Sequence, residues 1–244
     1  KYGMTVTAGA YLDHRWQHDE DEVAALIDLA RNNSNITRVI VGNESLLRND
    51  MGVDTLISYI DRVRAQVKVP VSTAEPWHIW LKYPQLAKHV DFITVHLLPY
   101  WEGYPRKDAI GLQVLMRYYE LQSAFPGKHI LIGEIGWPSS GDRIKGALAS
   151  IANESLFIRQ WLNVAAERHI DYNLVEAFDQ PWKESFEGRV GAYWGWFGAD
   201  RTPKFSLTGP VVEDPTWPWK AGLACLLALL PMFLGLLVVL PVLG

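Results

Sequence analysis

The chain has 244 residues and a formal net charge of −4, with no run of Lys and Arg to form a basic patch, so a nucleic-acid partner is not expected. Its one cysteine is Cys225, which excludes a disulfide framework and a Cys-based zinc site. Eleven Trp and ten Tyr are many for this length, and their positions carry more information than their number.

Short apolar strand-like runs alternate with amphipathic helical runs. Strands are expected at Thr5–Leu12, Thr37–Gly42, Val69–Ala74, Phe92–Leu97, His129–Ile132 and Tyr172–Phe178. Their apolar stretches do not strictly alternate, the pattern of parallel strands buried on both faces. Between the first two, a helix is expected over Asp19–Ala30. Asp19, Glu20, Asp21 and Glu22 form a solvated start that complements the helix dipole, and Val23, Leu26, Ile27 and Ala30 form its apolar stripe. The spacing of Leu56, Ile57, Ile60 and Val63 predicts a second helix over Asp54–Val67. A third is expected over Glu154–His169, capped by Asn153 and burying Phe157, Trp161 and Leu162. Strands alternating with helices imply βαβ units and a parallel sheet, either open and doubly wound or closed into a barrel. No glycine-rich phosphate loop follows a strand, which weakens the nucleotide-binding versions. Six strands would fit the last three-quarters of an eight-stranded barrel.

The chain ends in an apolar run, 221–244, without a charged residue. Such a run is long enough to cross a hydrocarbon core of roughly 30 Å. Trp217, Trp219 and Lys220 precede it, as side chains at a membrane interface do. A buried core helix is the alternative. No signal peptide opens the chain at Lys1-Tyr2-Gly3-Met4, and the expectation is a fragment of a longer, exported protein. The domains expected are a partial catalytic barrel over 1–212, a linker over 213–220 and a transmembrane segment over 221–244.

Polar and aromatic residues gather where strands end: Asn43-Glu44, Glu75-Pro76-Trp77, His96 with Tyr100-Trp101, Glu134 with Trp137, and Glu176 through Lys183. The C-terminal ends of the strands are where such barrels build active sites. Two carboxylates facing each other there are what glycoside hydrolysis needs, one to protonate the leaving oxygen and one to attack the anomeric carbon or activate water. Each has a structural alternative as an ordinary strand-end acid. Tyr100 and Trp137 are read as sugar contacts. Trp101 and Trp182 are divided between sugar contact and core. Glu75 is read as structural, and His96 as tuning Glu134 or binding sugar, or as a satisfied core histidine. His14 and His18 have the spacing of a metal pair, but no Glu follows the first as in a zinc-protease motif, so no metal and no cofactor are expected.

Val41-Gly42-Asn43-Glu44 and Gly133-Glu134-Ile135-Gly136-Trp137-Pro138-Ser139-Ser140-Gly141 resemble the two catalytic motifs of glycoside hydrolase family 17, the β-1,3-glucanases and their transglycosylase relatives. Glu176 to Lys183, with Glu187, looks like the family's third block, although Gln180 stands where many plant members have Glu. The resemblance covers Thr5 to about Phe205. It implies a (β/α)8 TIM barrel, truncated at its N-terminus so that strands three to eight are present. It also implies Glu44 as acid/base, Glu134 as nucleophile, Asn43 on the sugar 2-hydroxyl, and Lys183 and Glu187 as accessory charges. Bacterial members fused to a membrane glycosyltransferase look closer to this chain than the plant members, which implies a β-glucan substrate, a membrane anchor and a periplasmic catalytic domain. Hydrolysis and transglycosylation share these residues. A non-catalytic, membrane-anchored glucan-binding module is the alternative.

Overall fold

The computed structural model describes residues 3–214 and 216–239, with the side chains of 230 and 232–239 left aside. Two compact units divide the chain, 1–207 and 208–244.

The first unit is an α/β half-barrel. Strands β1 (Val6–Ala10), β2 (Ile36–Asn43), β3 (Val71–Pro76), β4 (Ile93–His96), β5 (Ile130–Ile135) and β6 (Asp171–Leu174) form one sheet in sequential order, every neighbouring pair parallel. All six expected strands are present. The central strands β3 and β4 are buried almost throughout, while β1 is largely exposed and β6 mostly half-buried. Double burial thus holds only where a strand has a neighbour on each side.

Helices cross from each strand to the next. α1 (Trp16–Asn32) buries Val23, Leu26 and Ile27, and α2 (Val53–Arg64) buries Leu56, Tyr59, Ile60 and Val63. Each such aliphatic side chain withdrawn from water contributes roughly 1.5–3 kcal/mol. After β3 come α3 (Trp77–Lys82) and a 3₁₀ turn. After β4, α4 (Arg106–Ala109) runs through a π turn, Ile110–Leu115, into α5 (Met116–Ala124). α6 (Ile151–Arg168) links β5 to β6, and α7 (Glu184–Gly191) follows the last strand.

Two local expectations are corrected. Asp19 is not a solvated helix-start acid but is buried, its carboxylate accepting the Asp13 N–H at 2.8 Å. The α6 cap is Ser150, whose side chain accepts from the Asn153 backbone N–H. Asn153 therefore supplies the donor and not the cap.

In the second unit, α8 (Trp217–Val239) follows the apolar run. Residues 240–244 lie outside the described residues. Among the described residues no helix is long and apolar enough to cross a membrane. The transmembrane segment and membrane partner expected at 221–244 are corrected to that extent: the described structure does not carry them.

Candidate active site

The strand ends on one face bring the site together. In the sheet register Asn43 stands beside Ala74, Pro76 beside His96, and His96 beside Glu134. The concave face of the sheet lines a cavity of about 740 Å³ that reaches Asn43, His96 and Glu134 at this end.

Glu44 follows β2 in a left-handed backbone conformation, φ 56°, which costs a non-glycine residue on the order of 1 kcal/mol and persists only where its surroundings hold it. They do so here. Its N–H donates to Ala74 O at 2.8 Å and its carbonyl accepts from Arg48 N at 2.9 Å. The Ser45 hydroxyl donates to Leu12 O at 2.9 Å. Glu75, fully buried on β3, accepts the N–H groups of Leu46 at 2.7 Å and Leu47 at 3.2 Å. Burial pushes the Glu75 carboxyl up to about 7, with those two hydrogen bonds opposing.

His96 lies between the two strand-end carboxylates. Its Nδ1 is 2.9 Å from Glu44 Oε1 and its Nε2 is 3.8 Å from Glu134 Oε1. The imidazole is 3% exposed, against 25% for Glu44 and 32% for Glu134, so the acids face the cleft and the ring backs them. Burial acts to lower the His96 pKa, but the charges of Glu134 and Glu44 outweigh it and the net direction is upward. Burial raises the Glu134 carboxyl, while His96 and Lys183 pull it down. Ionisation of Glu134 therefore leans on those two cations.

Gly133 makes room for this arrangement. A Cβ there would fall 2.5 Å from Thr94 Cγ2 and 3.1 Å from His96 Cδ2. At Gly136 a Cβ would meet Val175 O at 2.2 Å, so β5 and β6 approach closely just after Glu134.

Lys183 donates to Glu176 Oε2 at 2.8 Å, and the Gln180 amide donates to the same oxygen. Gln180, which stands where many plant members have Glu, thus takes part in this network. Glu187 sits exposed on α7, within electrostatic reach of Lys183, Glu134, Glu176 and Glu44. Glu176 itself carried no role in the sequence reading. Its place at the end of β6, in a block already singled out, is the signal that pointed to it.

Tyr100 and Trp137 are fully buried. The Tyr100 ring meets Trp137 at 5.4 Å, Trp101 at 5.8 Å and Trp194 at 6.0 Å, and Trp137 also packs on Phe157. Trp137 Nε1 donates to Leu148 O and the Tyr100 hydroxyl to Asp142 O. As placed, neither ring offers a face to a ligand. Exposed aromatics at this end include Tyr11, which lines the cavity, Trp101 at 41% and Trp182 at 63%.

For a metal, the described residues offer Asp13, His18 and Asp19, whose ligand atoms lie within 4.8 Å of one another. His14 is not among them. Arg15 already holds Asp13 in an ion pair, and the Asp13 carboxyl is lowered to about 2 by it.

A parallel α/β half-barrel with two cleft-facing acids at strand ends is the arrangement of barrel-type glycoside hydrolase domains. Residues 1–195 match the BtgE/BtgC glycoside hydrolase domain, and the chain belongs to that family. The chain is 30% identical over 185 residues to the glucan 1,3-β-glucosidase of Schizosaccharomyces pombe, covering 70% of this chain and 57% of the relative. It is 29% identical over 238 residues to the probable glucan endo-1,3-β-glucosidase btgC of Aspergillus flavus, 85% of this chain and 34% of the relative. The chain thus spans only part of these curated relatives. Among solved structures it is similar to the glycoside hydrolase family 17 β-1,3-glucanosyltransferase of Rhizomucor miehei, with a TM-score of 0.76 and 33% identity over 84% of this chain and 76% of that one. An active-site mutant of the R. miehei enzyme is described in complex with laminaritriose. The resemblance to family 17 is borne out. These relatives are fungal and lend no support to the fused bacterial arrangement.

Proposed function

We propose that this protein acts on β-1,3-glucan by double displacement, as a retaining hydrolase or glucanosyltransferase. The observation that carries the reading is the His96-bridged pair, Glu44 and Glu134, open to the cleft at the ends of β2 and β5. Glu134 attacks the anomeric carbon and forms a glycosyl-enzyme, while Glu44 protonates the leaving oxygen. Glu44 then takes a proton from the incoming acceptor, which is water in hydrolysis and a glucan hydroxyl in transfer. Asn43, lining the cavity beside Glu44, bonds the sugar 2-hydroxyl, a contact that strengthens in the oxocarbenium-like transition state. Lys183 opposes protonation of Glu134. The names of the relatives, glucan 1,3-β-glucosidase and β-1,3-glucanosyltransferase, support the substrate class. A setting outside the cytoplasm goes with a polymeric substrate and with an N-terminal 224 residues free of cysteine; cell fractionation checks it.

The test incubates the protein with linear β-1,3-gluco-oligosaccharides in 18O-labelled water and follows products by mass spectrometry. Shorter labelled products mean hydrolysis. Longer unlabelled ones mean transfer. Glu44→Gln and Glu134→Gln each abolish either outcome. Wild type and Glu134→Gln behaving alike, with no product, would sink the reading, and saturable binding without turnover would leave a glucan-binding module.

A further inference from the structure

We propose that Glu75 is a positioning residue for the acid/base: its buried carboxylate, accepting the N–H groups of Leu46 and Leu47, fixes the turn that holds Glu44 against His96. The inference rests on the reading of Glu44 as acid/base. Glu75 is fully buried and is not among the residues that line the cavity, so it has no surface with which to meet substrate.

The argument starts from what a left-handed residue needs. Glu44 has φ 56°, and nothing in a glutamate favours that conformation. The turn after it directs the N–H groups of Leu46 and Leu47 onto the fully buried Glu75 carboxyl, the Leu46 bond buried and the Leu47 bond partly so. Buried donors without an acceptor are costly, and the two oxygens of a carboxyl can accept from both. Glu75 supplies one oxygen to each, Oε1 at 2.7 Å and Oε2 at 3.2 Å. A fork of this kind sets both the height and the rotation of the turn. Glu75 also stands directly before Pro76, which pairs with His96 in the sheet. One short segment of β3 thereby sets the backbone behind Glu44 and the strand beside the imidazole that Glu44 contacts.

The neutral isostere removes this device with little change of volume. In Glu75→Gln one oxygen is replaced by an NH2 group, which faces an N–H donor it cannot accept from. The turn shifts, and Glu44 loses its alignment on the leaving oxygen. A misplacement of about 1 Å at a reacting group costs on the order of a hundredfold.

Two substrates separate this from a general weakening of the fold. A laminari-oligosaccharide expels a sugar alkoxide and needs the proton from Glu44. A 2,4-dinitrophenyl β-laminaribioside expels a phenolate that leaves without help. Glu75→Gln is expected to lower kcat on the oligosaccharide about ten- to a hundredfold, while the initial release of dinitrophenolate stays within about twofold of wild type. Glu44→Gln, run alongside, sets the full size of the split. If Glu44→Gln shows no split, the assignment of Glu44 fails and this inference falls with it. If Glu44→Gln shows the split and Glu75→Gln loses both substrates alike, or neither, the inference alone is overturned. Circular dichroism establishes that the variant is folded. Should Glu75→Gln not fold, Glu75→Asp keeps the charge on a shorter arm, and the same split, smaller in size, is expected of it; equal loss on both substrates overturns the proposal.

Discussion

The Nδ1 of His96 lies 2.9 Å from Glu44 Oε1, and the same ring turns its other nitrogen toward Glu134 at 3.8 Å. One buried imidazole therefore feels both acids of the cleft. Burial opposes its charge, and Glu134 and Glu44 overcome that opposition, so the folded pKa stands above the ordinary value of about 6.5. The stabilisation that follows is fully present below about pH 6.5 and is lost as pH rises through the folded pKa. The gap in unfolding free energy between wild type and His96→Gln is expected to be widest near pH 6 and to shrink toward pH 9. Urea unfolding at intervals of one pH unit measures it, and a gap that does not change with pH would remove the charge from His96.

Glu154 makes the opposite kind of demand. It is completely buried in α6, and although Lys204 Nζ is 3.3 Å from Oε2, neither of its oxygens has a hydrogen-bond partner. Lys204 is engaged by the Ser139 hydroxyl at 2.6 Å and Asp179 at 2.9 Å. Burial pushes the Glu154 carboxyl up to about 8 from 4.5, Lys204 opposing. Between those values the unfolded chain is ionised and the folded one holds the proton, so stability falls as pH rises from about 4.5 to about 8 and levels off above. Glu154→Gln, neutral throughout, is expected to melt close to wild type near pH 5 and several degrees above it at pH 9. Differential scanning calorimetry at the two pH values decides this.

The strands were legible because their signal is local: a short apolar run is read from its own residues, and Val69–Ala74 and Phe92–Leu97 overlap the observed β3 and β4 closely. Tyr172–Phe178 overshot. The sheet strand stops at Leu174, and beyond it Glu176 exchanges backbone hydrogen bonds with Trp194 and Trp196 while Phe178 bridges to Phe197. That partner is distant in sequence, and no periodicity within 172–178 encodes it. The strand-end placement of Glu44 and Glu134 could be read from the apolar runs they follow or close. The roles of Tyr100 and Trp137 could not, because an aromatic that packs on Trp194 or Phe157 has the same sequence as one that packs on a sugar.

That distinction gives a contrast between two tryptophans. Trp182 is 63% exposed beside Lys183, whereas Trp137 is fully buried. Trp182→Ala is expected to leave stability within about 0.5 kcal/mol and to raise KM for a β-1,3-gluco-oligosaccharide by about three- to tenfold. Trp137→Ala is expected to cost about 3–5 kcal/mol of stability and to lose activity through unfolding. Chemical denaturation and steady-state kinetics on both variants check the pair. An unchanged KM in Trp182→Ala would take that ring out of substrate binding.

Gly133 ties the backbone of β5 to the imidazole between the acids. Its neighbours on β4 lie so near that an added methyl would stand 2.5 Å from Thr94 Cγ2 and 3.1 Å from His96 Cδ2. The first of these is too short for any contact, so Thr94 or the strand must move. Thr94 is itself held, its hydroxyl donating to Ser72 Oγ at 3.0 Å, and Ser72 donates to Phe92 O at 2.7 Å. With Thr94 held, the strand must shift, and His96, which the methyl also crowds at Cδ2, is displaced with it. Gly133→Ala is expected to lower kcat by about a hundredfold, the scale of a misplacement of about 1 Å, with overpacking costing about 1–3 kcal/mol of stability. Kinetics and urea unfolding of the same preparation separate the two effects. Thr94→Ser, combined with Gly133→Ala, removes the Cγ2 that the new methyl strikes and is expected to restore most of the lost rate. Failure of that rescue in a folded double variant would show that the ring does not depend on the space left at Gly133.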